Sequence, residues 1–252
     1  MKIKLEKNQK VFFTSDTHYS HANICSATTK WDFSKGERTF REFESLEEMN
    51  KTLVDNINKV VGEDDILFHL GDWSFGGIDK IWEFRKQIKC KNIHLITGNH
   101  DHHIINDKIL PNCHSKFVGD EEVLVDGKNP CIHGDSRDSL FDVAAKDLFK
   151  SVNRILDLCI QIPTPNNKKD KKLRFELCHF PICSWEDMNQ GVIHLHGHVH
   201  LPKELRLHEG RAMDVGVDGN MLEPISLEEV LETMKDRPIK TISLKKDHHE
   251  NL

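Results

Sequence analysis

The sequence predicts an α/β protein, and three observations support that fold class. Short apolar and β-branched segments of strand length alternate with segments in which apolar residues recur at helical spacing. Five of the predicted strands end at a histidine, an aspartate or an asparagine. Because ligands bind beyond the carboxyl ends of strands in open α/β sheets, these endings predict a site along one edge of the fold. The chain has 252 residues, enough to bury one substantial core.

The first half of the chain is predicted to form three strands and two helices. The strands are apolar runs at residues 10–15, 65–70 and 92–97. Ser45-Leu-Glu-Glu48 has the capping-box pattern and opens the first helix. Five apolar residues of that helix recur at helical spacing: Leu46, Met49, Leu53, Ile57 and Val60. A similar stripe at residues 78–88 predicts the second helix.

The second half of the chain is predicted to add four strands and a helix. These are the strands at 116–125, 129–133, 173–178 and 191–196 and the helix at 139–160. Asp126-Gly127 predicts a turn between the first two of these strands. We expect a single domain over residues 1–245, with an insertion at 129–172 and a disordered tail at 246–252.

Composition excludes several classes of protein. The formal net charge is −6, so no global basic surface is predicted that would attract long nucleic acids. No apolar run is long enough to span a membrane, and the charged N-terminus lacks the apolar region of a signal peptide. The seven cysteines form no CxxC pair, which favours reduced thiols and a cytoplasmic protein.

Metal-ligating residue types occur in five clusters along the chain. The clusters are Asp16-Thr17-His18, Gly71-Asp72, Gly98-Asn99-His100-Asp101, His179 and Gly197-His198-Val199-His200. Each follows a predicted strand, so their nitrogen and oxygen ligands are expected to meet. Such ligands suit Mn, Fe, Zn or Ni, and we favour Mn. A pair of ions about 3.5–4 Å apart can generate a hydroxide and can also neutralise phosphoryl oxygens. The clusters therefore favour a metal-dependent phosphoesterase.

Three residues within these clusters have predicted roles of their own. Asp72 stands alone after its strand and is the natural ligand to bridge two ions. His100 directly follows Asn99 and is the candidate general acid. Asp101 is expected to orient the His100 ring and raise its pKa.

The ordered set of clusters resembles the calcineurin-like metallophosphoesterase superfamily over residues 11 to 227. That resemblance implies a four-layer αββα sandwich of two mixed sheets flanked by helices. One implied metal site consists of Asp16, His18, Asp72 and His200. The other implied metal site consists of Asp72, Asn99, His179 and His198. By the same resemblance, a bridging hydroxide attacks in line and His100 protonates the leaving group.

Further stretches resemble a bacterial and phage subgroup of small phosphoesterases. They include His69-Leu-Gly-Asp72 and Asp214-Val-Gly-Val-Asp218. The Gly71-Asp72 motif continues here as Trp73-Ser-Phe-Gly-Gly77, unlike the Asp-Arg-Gly continuation of the Ser/Thr protein phosphatases. A protein phosphatase is therefore disfavoured.

The substrate and its contacts stay open at this level. His21 and Asn23 either contact substrate or cap the next segment, and Arg38 either binds phosphate or is an exposed arginine near a helix start. We predict a hydrolase of phosphodiesters or nucleotide-type substrates. The alternatives are a nuclease acting on single-stranded nucleic acid and a non-catalytic metal-binding scaffold protein. A short nucleic acid is kept as an alternative partner to a small phosphate ester or nucleotide.

Overall fold

Two five-stranded sheets face each other in the structure, a computed structural model that describes residues 1–32, 34, 40–118, 121–126, 141–164 and 169–239. The strands are β1 (Lys2–Lys4), β2 (Val11–Thr14), β3 (Ile66–His69), β4 (Asn92–Ile96), β5 (Ile109–Val118), β6 (Glu121–Asp126), β7 (Phe141–Ala144), β8 (Ser151–Asn153), β9 (Ile155–Ile162), β10 (Lys171–Cys178), β11 (Ile193–His196), β12 (Ala212–Asp214) and β13 (Ile225–Ser226). The α-helices are α1 (Leu46–Val60), α2 (Ile78–Arg85), α3 (His102–Ile105) and α4 (Leu227–Met234).

Both large sheets are mixed. The first sheet has the order β13-β2-β3-β4-β8, with β2, β3, β4 and β8 parallel and β13 antiparallel to β2. The second sheet has the order β1-β9-β10-β11-β12, in which only the β9–β10 pair is antiparallel. A third, antiparallel sheet has the order β6-β5-β7. The predicted α/β class with two mixed sheets is confirmed.

One of the large hydrophobic cores lies between the two large sheets. Phe13 of the first sheet stacks on Phe68, with ring centroids 5.7 Å apart, and contacts Phe175 of the second sheet at 5.6 Å. The other face of the first sheet packs against α1 and α2, where Ile57 and Phe84 are fully buried. Alternate strand residues therefore serve two different cores, as the two-residue period of a strand requires.

The predicted helix at residues 139–160 is wrong. This stretch contains β7, a 3-10 helix at Ala145–Leu148, β8 and most of β9. In β9, Leu156, Leu158 and Ile160 are buried in alternation with more exposed neighbours, which is the period of a strand. β8 and β9 belong to the two large sheets, although they fall inside the insertion expected at 129–172.

The hairpin was also placed wrongly from the sequence. Residues 116–125 belong to two antiparallel strands, β5 and β6, in which Val118 is paired with Glu121. The strand predicted at 129–133 and the tail at 246–252 lie outside the described residues. The domain limits 1–245 stay a prediction. Within the described part of the chain, no helix has the length and hydropathy of a membrane span.

Candidate metal centre

The predicted strand-end clusters meet at one edge of the two large sheets. β2, β3 and β4 are parallel, and they lead into Asp16, Asp72 and Asn99. β10 and β11 are parallel in the other sheet, and they lead into His179 and His198. The site is thus built from both halves of the sandwich.

The backbone of the clusters is unusual because several of the candidate ligands have positive φ. The values are 55° for Asp16, 46° for His18, 55° for Asp72, 74° for His198 and 50° for His200. Residues with side chains rarely adopt this conformation, and strained positions of this kind cluster at functional sites.

One group of three candidate ligands comprises Asp16, His18 and His200, whose ligand atoms all lie within 4.8 Å of one another. His18 Nε2 lies 3.2 Å from His200 Nε2. Asp16 Oδ1 lies 3.8 Å from His18 Nε2 and 3.6 Å from His200 Nε2. These spacings leave room for one cation between a carboxylate and two imidazoles.

A second group comprises Asp16, Asp72 and His179, again within 4.8 Å. Asp72 Oδ2 lies 3.6 Å from His179 Nε2 and 3.5 Å from His18 Nε2, so it stands between the two groups. Asn99 Oδ1 lies 3.1 Å from His179 Nε2. Asp16 was expected at one metal only, but its carboxylate lies close to both groups.

His198 completes the set of seven predicted ligands. Its ring centroid is 5.1 Å from that of His179, and its backbone N–H donates to Asp16 Oδ2 at 2.8 Å. A cavity of about 330 Å³ opens over the site, and His18, Asp72, Asn99, His198 and His200 are among its lining residues. Five of the seven predicted ligands therefore line one opening, and the other two, Asp16 and His179, are fully buried next to them.

The donor atoms fit a cation. Asp16 Oδ1 is buried and has no hydrogen-bond partner among the described residues, an arrangement that costs free energy unless a cation meets the oxygen. His179 Nδ1 donates to the Leu70 carbonyl at 2.7 Å, and His200 Nδ1 donates to Asp218 Oδ2 at 2.6 Å. Both partners are pure acceptors, so each Nε2 keeps its lone pair for a metal ion.

Burial sets the electrostatics of the site. It raises the pKa of Asp16 to about 6 and lowers the pKa of His18 well below its ordinary value. Burial also acts to lower the pKa of His200, but the hydrogen bond to Asp218 and the nearby carboxylates outweigh it and raise that pKa. The environments of His18 and His200 thus differ, because the carboxylate of Asp218 accepts a hydrogen bond from Nδ1 of His200.

Arg41 and Asp218 support the site and were not predicted from the sequence. The buried Arg41 donates from Nη1 to the Thr17 carbonyl at 2.8 Å and from Nη2 to the Asp16 carbonyl at 2.6 Å. Its Nε donates to Asp218 Oδ1 at 2.8 Å. Burial would raise the pKa of Asp218, but Arg41 and His200 hold it well below the usual range. The Asp214-Val-Gly-Val-Asp218 stretch, which resembles the phosphoesterase subgroup, was the available signal for Asp218.

Two glycines of the clusters are required by close approach. A Cβ on Gly98 would lie 2.2 Å from Asp72 Oδ1. A Cβ on Gly197 would lie 2.0 Å from Ser15 Oγ and 2.2 Å from Asp16 Oδ2. Any side chain here would displace a candidate ligand, which explains why glycine precedes the ligand in each of these motifs.

The predicted catalytic pair has a different arrangement from the one expected. His100 lies beside the site, with its backbone N–H donating to Asp72 Oδ1 at 2.9 Å and its ring 5.5 Å from that of His18. Asp101 instead accepts hydrogen bonds from the backbone N–H groups of Gly98, Asp72 and Trp73 at 2.8–3.0 Å. None of the hydrogen bonds between described residues joins Asp101 to the His100 ring. Asp101 thus joins the loop after β3 to the loop after β4. Its side chain is held by these two loops, although Asp101 and His100 are neighbours in sequence.

The three predicted substrate contacts have separate outcomes. His21 lines the cavity and stacks on Phe75 at 4.0 Å, and burial lowers its pKa to about 4. Asn23 accepts a hydrogen bond from the Lys30 N–H at 3.1 Å, as a residue that stabilises a local turn does. Arg38 lies outside the described residues.

Comparison with known proteins bears on this site. A family model described as calcineurin-like phosphoesterase matches residues 9–202. An uncharacterized protein of Methanocaldococcus jannaschii is 38% identical over 95 residues, which are 37% of this chain and 47% of that protein, so the match spans about half of its length. A solved structure of a protein of unknown function from Aquifex aeolicus covers 90% of this chain and is covered over 100% of its own. Its TM-score is 0.50 at 20% identity, so that likeness concerns the fold alone.

Proposed function

Since this chain belongs to the calcineurin-like phosphoesterase family, we propose that it is a metal-dependent phosphoric ester hydrolase that prefers phosphodiesters or nucleotide-type substrates to monoesters. The observation that carries the proposal is the presence of two adjacent ligand groups, one with Asp16 and the other with both Asp16 and Asp72. In each group the ligand atoms lie within 4.8 Å of one another. Two ligand groups side by side suit a dinuclear site. We further propose that the enzyme works in the cytoplasm, since its seven cysteines form no CxxC pair.

The proposed cofactor is a pair of divalent transition metal ions, with Mn favoured over Fe, Zn and Ni. Asp16, His18 and His200 would hold one ion, and Asn99, His179 and His198 the other, with Asp72 shared. When bound, such ions supply a hydroxide nucleophile and neutralise the phosphoryl oxygens. The chain itself presets the ligands through Leu70, Asp218 and the motif glycines, so little reorganisation is needed on binding.

His100 is the residue proposed to protonate the leaving oxygen. It lines the same cavity as His18, Asp72 and Asn99, and its backbone N–H is held by Asp72. A general acid at this place sits beside the phosphoryl group and outside both ligand groups. His21, on the cavity wall next to His18, is proposed to contact the phosphate.

The test begins with metal-free protein. Mn²⁺ or Ni²⁺ is added, and hydrolysis is followed for bis(4-nitrophenyl) phosphate, 4-nitrophenyl phosphate, 2′,3′- and 3′,5′-cyclic nucleotides and short single strands. We expect two ions per active chain and the fastest turnover on a diester. Fewer than two ions per active chain would overturn the dinuclear site. Metal binding without turnover of any ester would point to the scaffold alternative, and steeply salt-dependent cleavage of the strands to the nuclease.

Variants test the residue roles. Asp72→Asn should abolish the Mn²⁺-dependent activity, whereas Asp79→Asn, at an exposed carboxylate on α2, should keep it. His100→Ala should slow the release of an alkoxide by about 10²–10⁴-fold, the usual contribution of a general acid. It should slow 4-nitrophenolate release far less, because that group leaves without a proton. Equal losses on both substrates would argue against His100 as the acid.

A further inference from the structure

A second cavity, next to the metal centre, shares His100 with the proposed reaction, and its other lining residues have no part in that reaction. We propose that it binds a flat, uncharged ring belonging to the leaving group, and this proposal rests on the proposed phosphoesterase function. The cavity measures about 250 Å³. Its lining includes Phe75, Gly76, Gly77, Ile81, His100 and Asp101.

The position of the cavity connects it to the leaving group. His100 lines both this cavity and the one over the candidate ligands. The Phe75 ring lies 5.1 Å from the His100 ring and 4.0 Å from the His21 ring, so an aromatic surface runs between the two cavities. An ester oxygen protonated by His100 would therefore carry its substituent into the second cavity.

The chemistry of the lining selects against charge. Among the described residues, the lining has no lysine or arginine, and its titratable side chains are Asp101 and the histidines His100, His102 and His103. The carboxylate of Asp101 accepts hydrogen bonds from three backbone N–H groups. Lys80 lies close to Gly76, but its Nζ is paired with Glu83 Oε2 at 2.6 Å. Among the described residues, a second phosphate would find no unpaired lysine or arginine here, so a polyphosphate leaving group is disfavoured.

The shape of the lining suits a flat ring. Gly76 and Gly77 have φ values of 94° and 106°, and no atom of the described residues lies within 4 Å of the place where a Gly77 side chain would begin. Phe75 and the buried Ile81 supply apolar surface beside this open space. Aromatic rings stack readily on such a surface, which is how proteins hold nucleobases and aryl groups. The segment Trp73-Ser-Phe-Gly-Gly77, which follows Gly71-Asp72, would thereby form part of the wall that holds the ring.

The experiment measures binding without requiring turnover. Protein loaded with Mn²⁺ is titrated calorimetrically with methylphosphonate, benzylphosphonate and 4-carboxybenzylphosphonate, which share a phosphonate that is not hydrolysed. We expect benzylphosphonate to bind at least about tenfold more tightly than methylphosphonate, as a buried ring should. The 4-carboxy group should remove most of that gain. Equal Kd values for all three compounds, or no binding of any, would overturn the proposal.

A pair of variants on one helix sharpens the test. Ile81→Phe adds volume at the cavity wall and should bring the ratio of the two Kd values towards one. Ile78→Phe makes the same change on α2 at a residue outside the lining, and should leave the ratio as it is. Thermal unfolding is recorded for both variants. If Ile81→Phe fails to fold, the three-compound comparison in the unchanged protein still decides.

The outcomes separate this proposal from the proposed function. Ester hydrolysis together with equal Kd values would leave a phosphoesterase whose leaving group lies elsewhere. Ring-dependent binding without hydrolysis of any ester would leave a ligand-binding cavity on a protein that is not an active phosphoesterase, and the assignment of the ring to a leaving group would then fall.

Discussion

At the scale of single residues, the site depends on what holds each ligand from behind. His200 is held by Asp218, and Asp218 is held by Arg41 through Nε and Nη2 at 2.8 and 3.1 Å. Arg41 also donates hydrogen bonds to the backbone carbonyls of Asp16 and Thr17. One buried guanidinium thus links the first ligand loop to Asp218, which lies 177 residues beyond Arg41 in the chain and holds His200.

Asp218→Asn tests this chain of contacts. The variant keeps the shape of Asp218 but loses the negative charge that orients His200 and pairs with Arg41. Removing such a support typically weakens metal affinity by about 10–100-fold. Titration of metal-free protein with Mn²⁺ measures the loss. Asp55→Asn is the matched control, because Asp55 lies on the exposed face of α1 and is paired there with Lys51. Equal affinities of both variants would contradict the role.

At the scale of elements, the helix ends show how well local sequence predicts local structure. Ser45 caps α1 as predicted, and its side chain accepts from the Glu48 N–H at 3.0 Å. The reciprocal bond differs, because Glu48 accepts from the Glu44 N–H at 2.9 Å. α4 has the complete box: Ser226 Oγ accepts from the Glu229 N–H at 3.2 Å, and Glu229 Oε2 accepts from the Ser226 N–H at 2.9 Å.

Ser226→Ala is expected to lower the free energy of unfolding by about 1 kcal/mol, because a helix N–H loses its acceptor. Ser226 lies outside both cavities at the site, so kcat/KM on a diester should be unchanged. Urea unfolding at pH 7.5 measures the first quantity, and the hydrolysis assay measures the second. A loss of activity at unchanged stability would contradict this prediction.

The error at residues 139–160 also belongs to this scale. In β9 the buried residues alternate with Ile155 and Asp157, which are exposed. The stretch is rich in apolar residues on both sides of β8, so a helical stripe can be drawn through it as readily as two strands. Pairing of β8 with β4 and of β9 with β1 and β10 decides between them.

At the scale of the whole molecule, burial of neutral histidines couples stability to pH. His194 is fully buried on β11; its Nδ1 donates to the Glu176 carbonyl at 3.0 Å, and its Nε2 accepts from the Ile182 N–H at 3.3 Å. Burial lowers its pKa to about 4. The folded pKa lies below the unfolded value of about 6.5, so the unfolded chain binds more protons between them.

The stabilising contribution of neutral His194 is therefore complete above about pH 6.5 and is lost as the pH falls towards 4. His194→Gln should flatten the decline of unfolding free energy over this window. Urea titrations at several pH values measure it, with a chelator present because metal binding itself depends on pH. An identical decline in the variant and the unchanged protein would contradict the prediction.

The sequence by itself determined the α/β class, the types of ligand and their order along the chain. Strand ends and their glycine-bearing motifs are local features, and the parallel strands that precede them bring the motifs to one edge. Only the tertiary structure decided that Asp16 lies close to both ligand groups, that Arg41 and Asp218 hold His200, and that Asp101 serves two loops instead of His100. Those contacts join residues far apart in the chain, and no local periodicity carries information about them.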